Sequence, residues 1–186
     1  TDFYLEIVDP QDRGKYRRDT PEGIAYQPFD IRRELIKIKG SHDQFFDIRS
    51  TVHGPVISDI YPTKEIVKNQ VISMRWTGHE ISHEINSIYE INWSRDIKGF
   101  QNALKNYSVP GQNIMYADNS GNIAMFSAAK LPIREHDPLL LRPGWDIDYD
   151  WQSWIPFDEL PSIINPNKGW IANANNKITT DAYSHY

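Results

Sequence analysis

The sequence predicts an α+β fold built mainly of antiparallel strands. Short runs rich in β-branched and aromatic residues fill the first third of the chain and return after Pro110. Between them lies one stretch where the hydrophobic period lengthens from two to about 3.6 residues. Strands, then two helices, then strands again is not the strict alternation of a doubly wound parallel sheet. The length of 186 residues suits a single domain spanning 1–186, and a hydrophobic fraction of 39% with 24% charged residues is an ordinary globular balance.

Taken in order, residues 2–8 alternate loosely and read as a strand, and residues 9–23, with Pro10, Gly14, Pro21 and Gly23, read as a polar loop. Three strands follow over residues 34–39 (ELIKIK), 45–52 (FFDIRSTV) and 71–77 (VISMRWT). After Gly78 the spacing of Ile81, Ile85 and Ile88 marks one helical stripe, and Ile97, Phe100, Gln101 and Leu104 mark a second, with Asn92 or Ser94 as its cap. NIMYAD and NIAMFSA flank Asn119, Ser120 and Gly121, a hairpin signal. Residues 132–168 hold six of the twelve prolines and three of the six tryptophans. They read as a long irregular connection with a helical turn near Phe157. GWIANANNK (169–177) then reads as a closing strand.

Composition excludes several functions. A net charge of −5 argues against duplex nucleic acid as a partner. The basic run at residues 15–18 reads as a solvated loop. No apolar run approaches the roughly 18 residues of a membrane helix, and no signal-peptide pattern opens the chain. With no cysteine there are neither disulfides nor thiolate chemistry. The alternating Asp146, Asp148 and Asp150 lack the glycine of a calcium loop and read as solvated. Neither a nucleophile elbow nor a glycine-rich phosphate loop is present.

Two motifs invite chemistry. His79, Glu80 and His83 form H-E-x-x-H, the spacing of a zinc metallopeptidase helix with the glutamate as general base. Against it, the two histidines fall on the face opposite the Ile81, Ile85 and Ile88 stripe, and no third ligand announces itself. The second is the asparagine cluster. Asn173 and Asn175 would share one strand face, with Ala172 and Ala174 on the other. Asparagine is depleted in strands. Either these amides satisfy local backbone, or one is held as a preorganised oxyanion donor. A non-catalytic binding module, with Trp145, Trp151 and Trp154 lining a groove, is the third reading.

At YADNSGNIAMFSAAKLPIR, the HDP of residues 136–138, DWQSWIPFDELP and NPNKGWIANANN, the chain resembles the penicillin acylase family of N-terminal-nucleophile amidohydrolases, which stands beside cephalosporin and acyl-homoserine lactone acylases. STVHGPV and the opening DFYLE match as well. The resemblance implies a four-layer αββα sandwich and cleavage of small N-acyl amides by an N-terminal serine that uses its own amine as base. It maps the side-chain oxyanion donor to Asn175. It implies that the serine lies upstream of this chain, so Thr1 is not the nucleophile. The chain is then an internal piece of the large chain, inactive alone, whose partners are the small chain and the rest of the large one. No cofactor is required, although some members hold calcium, and the match puts Asp2 and the Pro138 carbonyl among its ligands. Gln112 stands where penicillin G acylases place an apolar residue of the acyl pocket, which argues against a phenylacetyl-specific pocket. Family members often work in the periplasm or outside the cell.

Overall fold

The computed structural model describes residues 1–60, 69–134, 137, 139–180 and 182–185. The strands of the first half are β1 (Asp2–Ile7), β2 (Lys15–Arg17), β3 (Tyr26–Pro28), β4 (Asp30–Ile36), β5 (Gln44–Thr51), β6 (Gly54–Pro55) and β7 (Gln70–Arg75). Helices α1 (Glu84–Trp93) and α2 (Ile97–Leu104) follow. The remaining strands are β8 (Gln112–Ala117), β9 (Ile123–Ala128), β10 (Pro132–Ile133), β11 (Arg142–Pro143), β12 (Ser153–Trp154) and β13 (Ser162–Ile164). Mostly strands with two helices is the expected α+β composition. The chain forms two compact units, one of Thr1–His79 with Arg134–Asp150, the other of Glu80–Ile133 with Trp151–Tyr186.

In the first unit β1 is the centre of a three-stranded sheet. It pairs antiparallel with β7 from Asp2 opposite Arg75 to Ile7 opposite Gln70, and parallel with β11 at Tyr4 opposite Arg142. Its alternation is inverted relative to an ordinary amphipathic strand: Asp2, Tyr4 and Glu6 point inward and are buried. The apolar core lies beside this strand, where Val8, Tyr16, Phe29, Val56 and Val71 meet. Tyr16 arrives there on β2, paired with β3, so residues 15–17 are strand and not loop. Tyr16 is buried between the half-buried Lys15 and Arg17, and Arg18 is buried as well, a placement that residue type alone does not reveal. β4 and β5 form a long hairpin that β6 extends at Ser50 and Thr51.

In the second unit β9 is the central strand of the sheet β13–β9–β8 and is almost wholly buried. α2 packs on this unit's core because Phe100 and Leu104 fall one turn apart and join Ala124, Phe126 and Ala128. Its cap is Asp96, whose carboxylate accepts from the Gly99 N–H at 2.7 Å, rather than Asn92 or Ser94. The hairpin between β8 and β9 turns where expected. Asp118 accepts from the Ser120 and Asn122 amides at 2.9 Å each, and Gly121 takes φ 87°. Two short ribbons, β10 with β12 and β13 with β9, order much of the proline-rich stretch, with a 3₁₀ turn at Phe157–Glu159. Among the described residues no helix is long and apolar enough to cross a membrane.

Candidate functional site

The asparagine segment is not a strand. Its backbone is irregular from Gly169 to Lys177, and Asn175 sits in the left-handed region at φ 60°. The cause is local competition for backbone donors. Asn173 Oδ1 accepts from the Asn175 N–H and Asn176 Oδ1 from the Ala174 N–H, both at 3.1 Å, while Asn176 Nδ2 donates to the Lys177 carbonyl at 2.9 Å. Those amides are therefore withdrawn from any sheet ladder, and asparagine tolerates the left-handed residue that results. Upstream, Asn165 anchors the segment: its Oδ1 accepts from the Ile123 N–H and its Nδ2 donates to Asn122 Oδ1, both at 2.9 Å.

The three amides end in different states. Asn176 is used up by backbone. Asn173 has its Nδ2 buried with no partner among the described residues. Asn175 is exposed, and among the described residues its side-chain amide makes no hydrogen bond. Gln112, also in the second unit, is the exposed first residue of β8, opposite Ala128. No hydrogen bond joins it to Asn175 among the described residues. Nearby in sequence, residues 178–180 line a cavity of 370 Å³ with Met125, Ile163 and Tyr183.

Asp2 lies in the first unit, 2% exposed, with its Oδ2 2.8 Å from Arg134 Nε and 3.7 Å from Arg142 Nε. Calcium needs six to eight oxygen donors. Two guanidinium groups stand against this carboxylate instead, and Pro138 lies outside the described residues. Among those residues no group of three acidic or histidine side chains could hold a metal.

The zinc-helix premise fails on secondary structure. His79 closes a 3₁₀ turn, Thr77–His79; residues 80–83 are not helical; α1 begins at Glu84 with His83 at its N-cap position. Glu80 is ion-paired to Lys130 at 2.8 Å. The tryptophans are half-buried and engaged: Trp145 by Arg17, Trp151 and Trp154 edge-to-face with each other at 5.5 Å.

Sequence reasoning missed a buried polar chain in the first unit. Glu6 Oε1 accepts from Thr51 Oγ1 at 2.9 Å and Ser73 Oγ at 2.6 Å, and lies 2.9 Å from His53 Nδ1. His53 Nε2 lies 2.8 Å from Asp150, which also pairs with Arg18. Tyr4 stacks on the imidazole at 3.7 Å. Burial alone would raise the Asp150 carboxyl, but bonds from His53 and Arg18 hold it below the usual carboxylate range. Both imidazole nitrogens face carboxylates, so neither Ser73 nor Thr51 has a histidine base, and the cluster is not a hydrolytic triad. The signal was there: Asp2 and Glu6 share a strand face, and His53 follows Thr51 by two residues.

Comparison with known proteins places this arrangement. A model of the penicillin amidase family matches residues 1–186. The chain is 26% identical over 166 residues to penicillin acylase 2 proenzyme of Pseudomonas sp. (strain SE83), covering 88% of this chain and 21% of that protein. It is 24% identical over 183 residues to the acyl-homoserine lactone acylase QuiP of Pseudomonas fluorescens, covering 98% of this chain and 22% of that protein. The solved structure of a thermostable penicillin G acylase from Alcaligenes faecalis superposes with a TM-score of 0.80 at 28% identity, covering all of this chain and 33% of that one. The chain thus spans about a fifth of the length of the curated relatives it matches. With the family model matched from its first residue to its last, the chain belongs to the penicillin amidase family.

Proposed function

We propose that this chain is part of an amidohydrolase that cleaves small N-acyl amides, and that Asn175 supplies a side-chain N–H to the oxyanion of the transition state. In this reading an N-terminal serine outside residues 1–186 attacks the acyl carbonyl. Its hydroxyl proton passes to its own α-amine and then to the departing amine. Water hydrolyses the resulting acyl-enzyme ester by the reverse proton path. The chain alone lacks the nucleophile and is inactive in this account.

The observation that carries the assignment is the condition of Asn175. It stands in the family's asparagine segment, with its backbone fixed by the Asn173 side chain, its own side chain exposed and its amide without a partner among the described residues. A donor held in place and not consumed by protein is what oxyanion stabilisation needs, because nothing must be broken when charge develops. Gln112, exposed at the start of β8, adds a polar group to the acyl side in this reading and disfavours a purely apolar acyl group.

The test is kinetic. In the full-length parent, Asn175→Ala is expected to lower turnover by about 10²–10³ while leaving the melting temperature nearly unchanged. Normal turnover in that variant would overturn the assignment.

A further inference from the structure

Asn175 lies in the left-handed region at φ 60°, where a residue that carries a Cβ settles only when a contact selects it. The selecting contact is the turn made by Asn173, whose Oδ1 accepts from the Asn175 N–H at 3.1 Å. Asn173 is itself held in place, since its Nδ2 is buried. A second turn interlocks with the first: Asn176 Oδ1 accepts from the Ala174 N–H at 3.1 Å, and Asn176 Nδ2 donates to the Lys177 carbonyl at 2.9 Å. The two turns fix successive peptides, and only that of Asn173 bonds to Asn175 itself. Neither Asn173 nor Asn175 belongs to an apolar core cluster. The clamp therefore shapes this segment rather than the packing of its unit.

We infer that Asn173 is a positioning residue: its side-chain carbonyl sets the backbone angle of Asn175 and thereby aims the Asn175 amide at the oxyanion of the acyl-transfer transition state. The rotamers open to a side chain depend on the φ and ψ of its own residue, so a turn that holds φ at 60° also limits where the Asn175 Nδ2 can reach. An oxyanion donor is effective because it is already in place when charge develops. A misplacement of about 1 Å can cost about 10²-fold in rate. Without the Asn173 acceptor the Asn175 N–H is released and conformers with negative φ compete. Turnover then falls with the fraction of molecules that keep the left-handed form. Substrate binding is spared, because the donor meets a charge that exists only in the transition state. This role rests on the reading of Asn175 as the oxyanion donor.

The experiment is a double-mutant cycle in the full-length parent. Asn173→Ala is expected to lower kcat by about 10-fold to 10²-fold, with KM and the melting temperature nearly unchanged. Asn173→Ser, whose hydroxyl forms the same turn more weakly, is expected to recover part of that loss. Asn175→Gly removes the donor and tolerates the left-handed backbone, so adding Asn173→Ala to it is expected to cost little further turnover. Normal kcat for Asn173→Ala beside a slowed Asn175→Gly overturns the positioning role and leaves the donor assignment standing. Losses that multiply in full also overturn it, because Asn173 would then act independently of Asn175. Equal losses for Asn173→Ala and Asn173→Ser do the same. So does a loss that comes with a lower melting temperature or folded yield, which marks a merely structural role. Normal turnover in Asn175→Gly refutes the donor assignment, and the positioning role falls with it.

Discussion

At the scale of single residues, this fold is shaped by polar groups placed where apolar ones would be ordinary. Glu6 is fully buried, with three donors gathered on one carboxylate oxygen and the other oxygen buried against Gly144. A Cβ added at Gly144 would stand 2.1 Å from that second oxygen. The carboxylate cannot swing aside without breaking its bonds to Thr51, Ser73 and His53. Gly144→Ala should therefore destabilise by the 1–3 kcal/mol typical of overpacking, about 2 kcal/mol, seen as a lower denaturant midpoint. An unchanged midpoint would mean that Glu6 is held more loosely than its bonds imply. Residue chemistry was legible in part. The sequence marks asparagine as anomalous in GWIANANNK, but whether Asn173, Asn175 or Asn176 is spared depends on which amide the neighbouring backbone claims. That is a three-dimensional fact.

At the scale of elements, period and turn chemistry carried most of the information. The β8–β9 hairpin was readable because Asp118, Asn119, Ser120 and Gly121 satisfy a turn by themselves, and α2 because its apolar residues recur at the helical period. Competition by side chains for backbone groups explains the failure at residues 169–177. Asparagine side chains dissolve the expected strand at residues 169–177, and residues 80–83 stay out of α1, which begins at Glu84. In α1 the period was right and the face was wrong, since periodicity reports an apolar stripe and not what covers it. The α2 cap gives a direct test. Asp96→Ala removes the acceptor of the Gly99 N–H and should cost about 1 kcal/mol. Asp96→Asn or Asp96→Ser, both good caps, should recover most of it in thermal unfolding. Equal loss in all three would show that the charge, and not the cap, matters.

At the scale of the whole molecule, the two units are stabilised by different physics, and acid should tell them apart. The first unit sets the buried carboxylates Asp2 and Glu6 and the half-buried Asp150 beside its apolar core, while the second has an apolar centre of Phe100, Leu104, Ala124, Phe126 and Ala128. The folded Asp150 carboxyl lies below its unfolded value of about 3.9. The sign follows: the unfolded state binds the proton first, so the stabilisation is complete above about pH 4 and is lost as pH falls through the folded value. Glu84 and Asp118 in the second unit are shifted in the same direction, but the Glu84 bonds to the Ser108 and Val109 amides fasten a partly exposed loop, and the Asp118 bonds to the Ser120 and Asn122 amides fasten the β8–β9 turn, not the core. On acidification below about pH 4, the amides of β1 and β7 should therefore lose hydrogen-exchange protection before those of β8 and β9. Asp150→Asn, which keeps the shape but not the charge, should weaken the first unit at neutral pH and flatten its acid dependence, leaving β8 and β9 unchanged. Loss of β8 and β9 protection first, or an Asp150→Asn variant with the original acid profile, would show that the buried chain from Glu6 through His53 to Arg18 does not govern the stability of its unit.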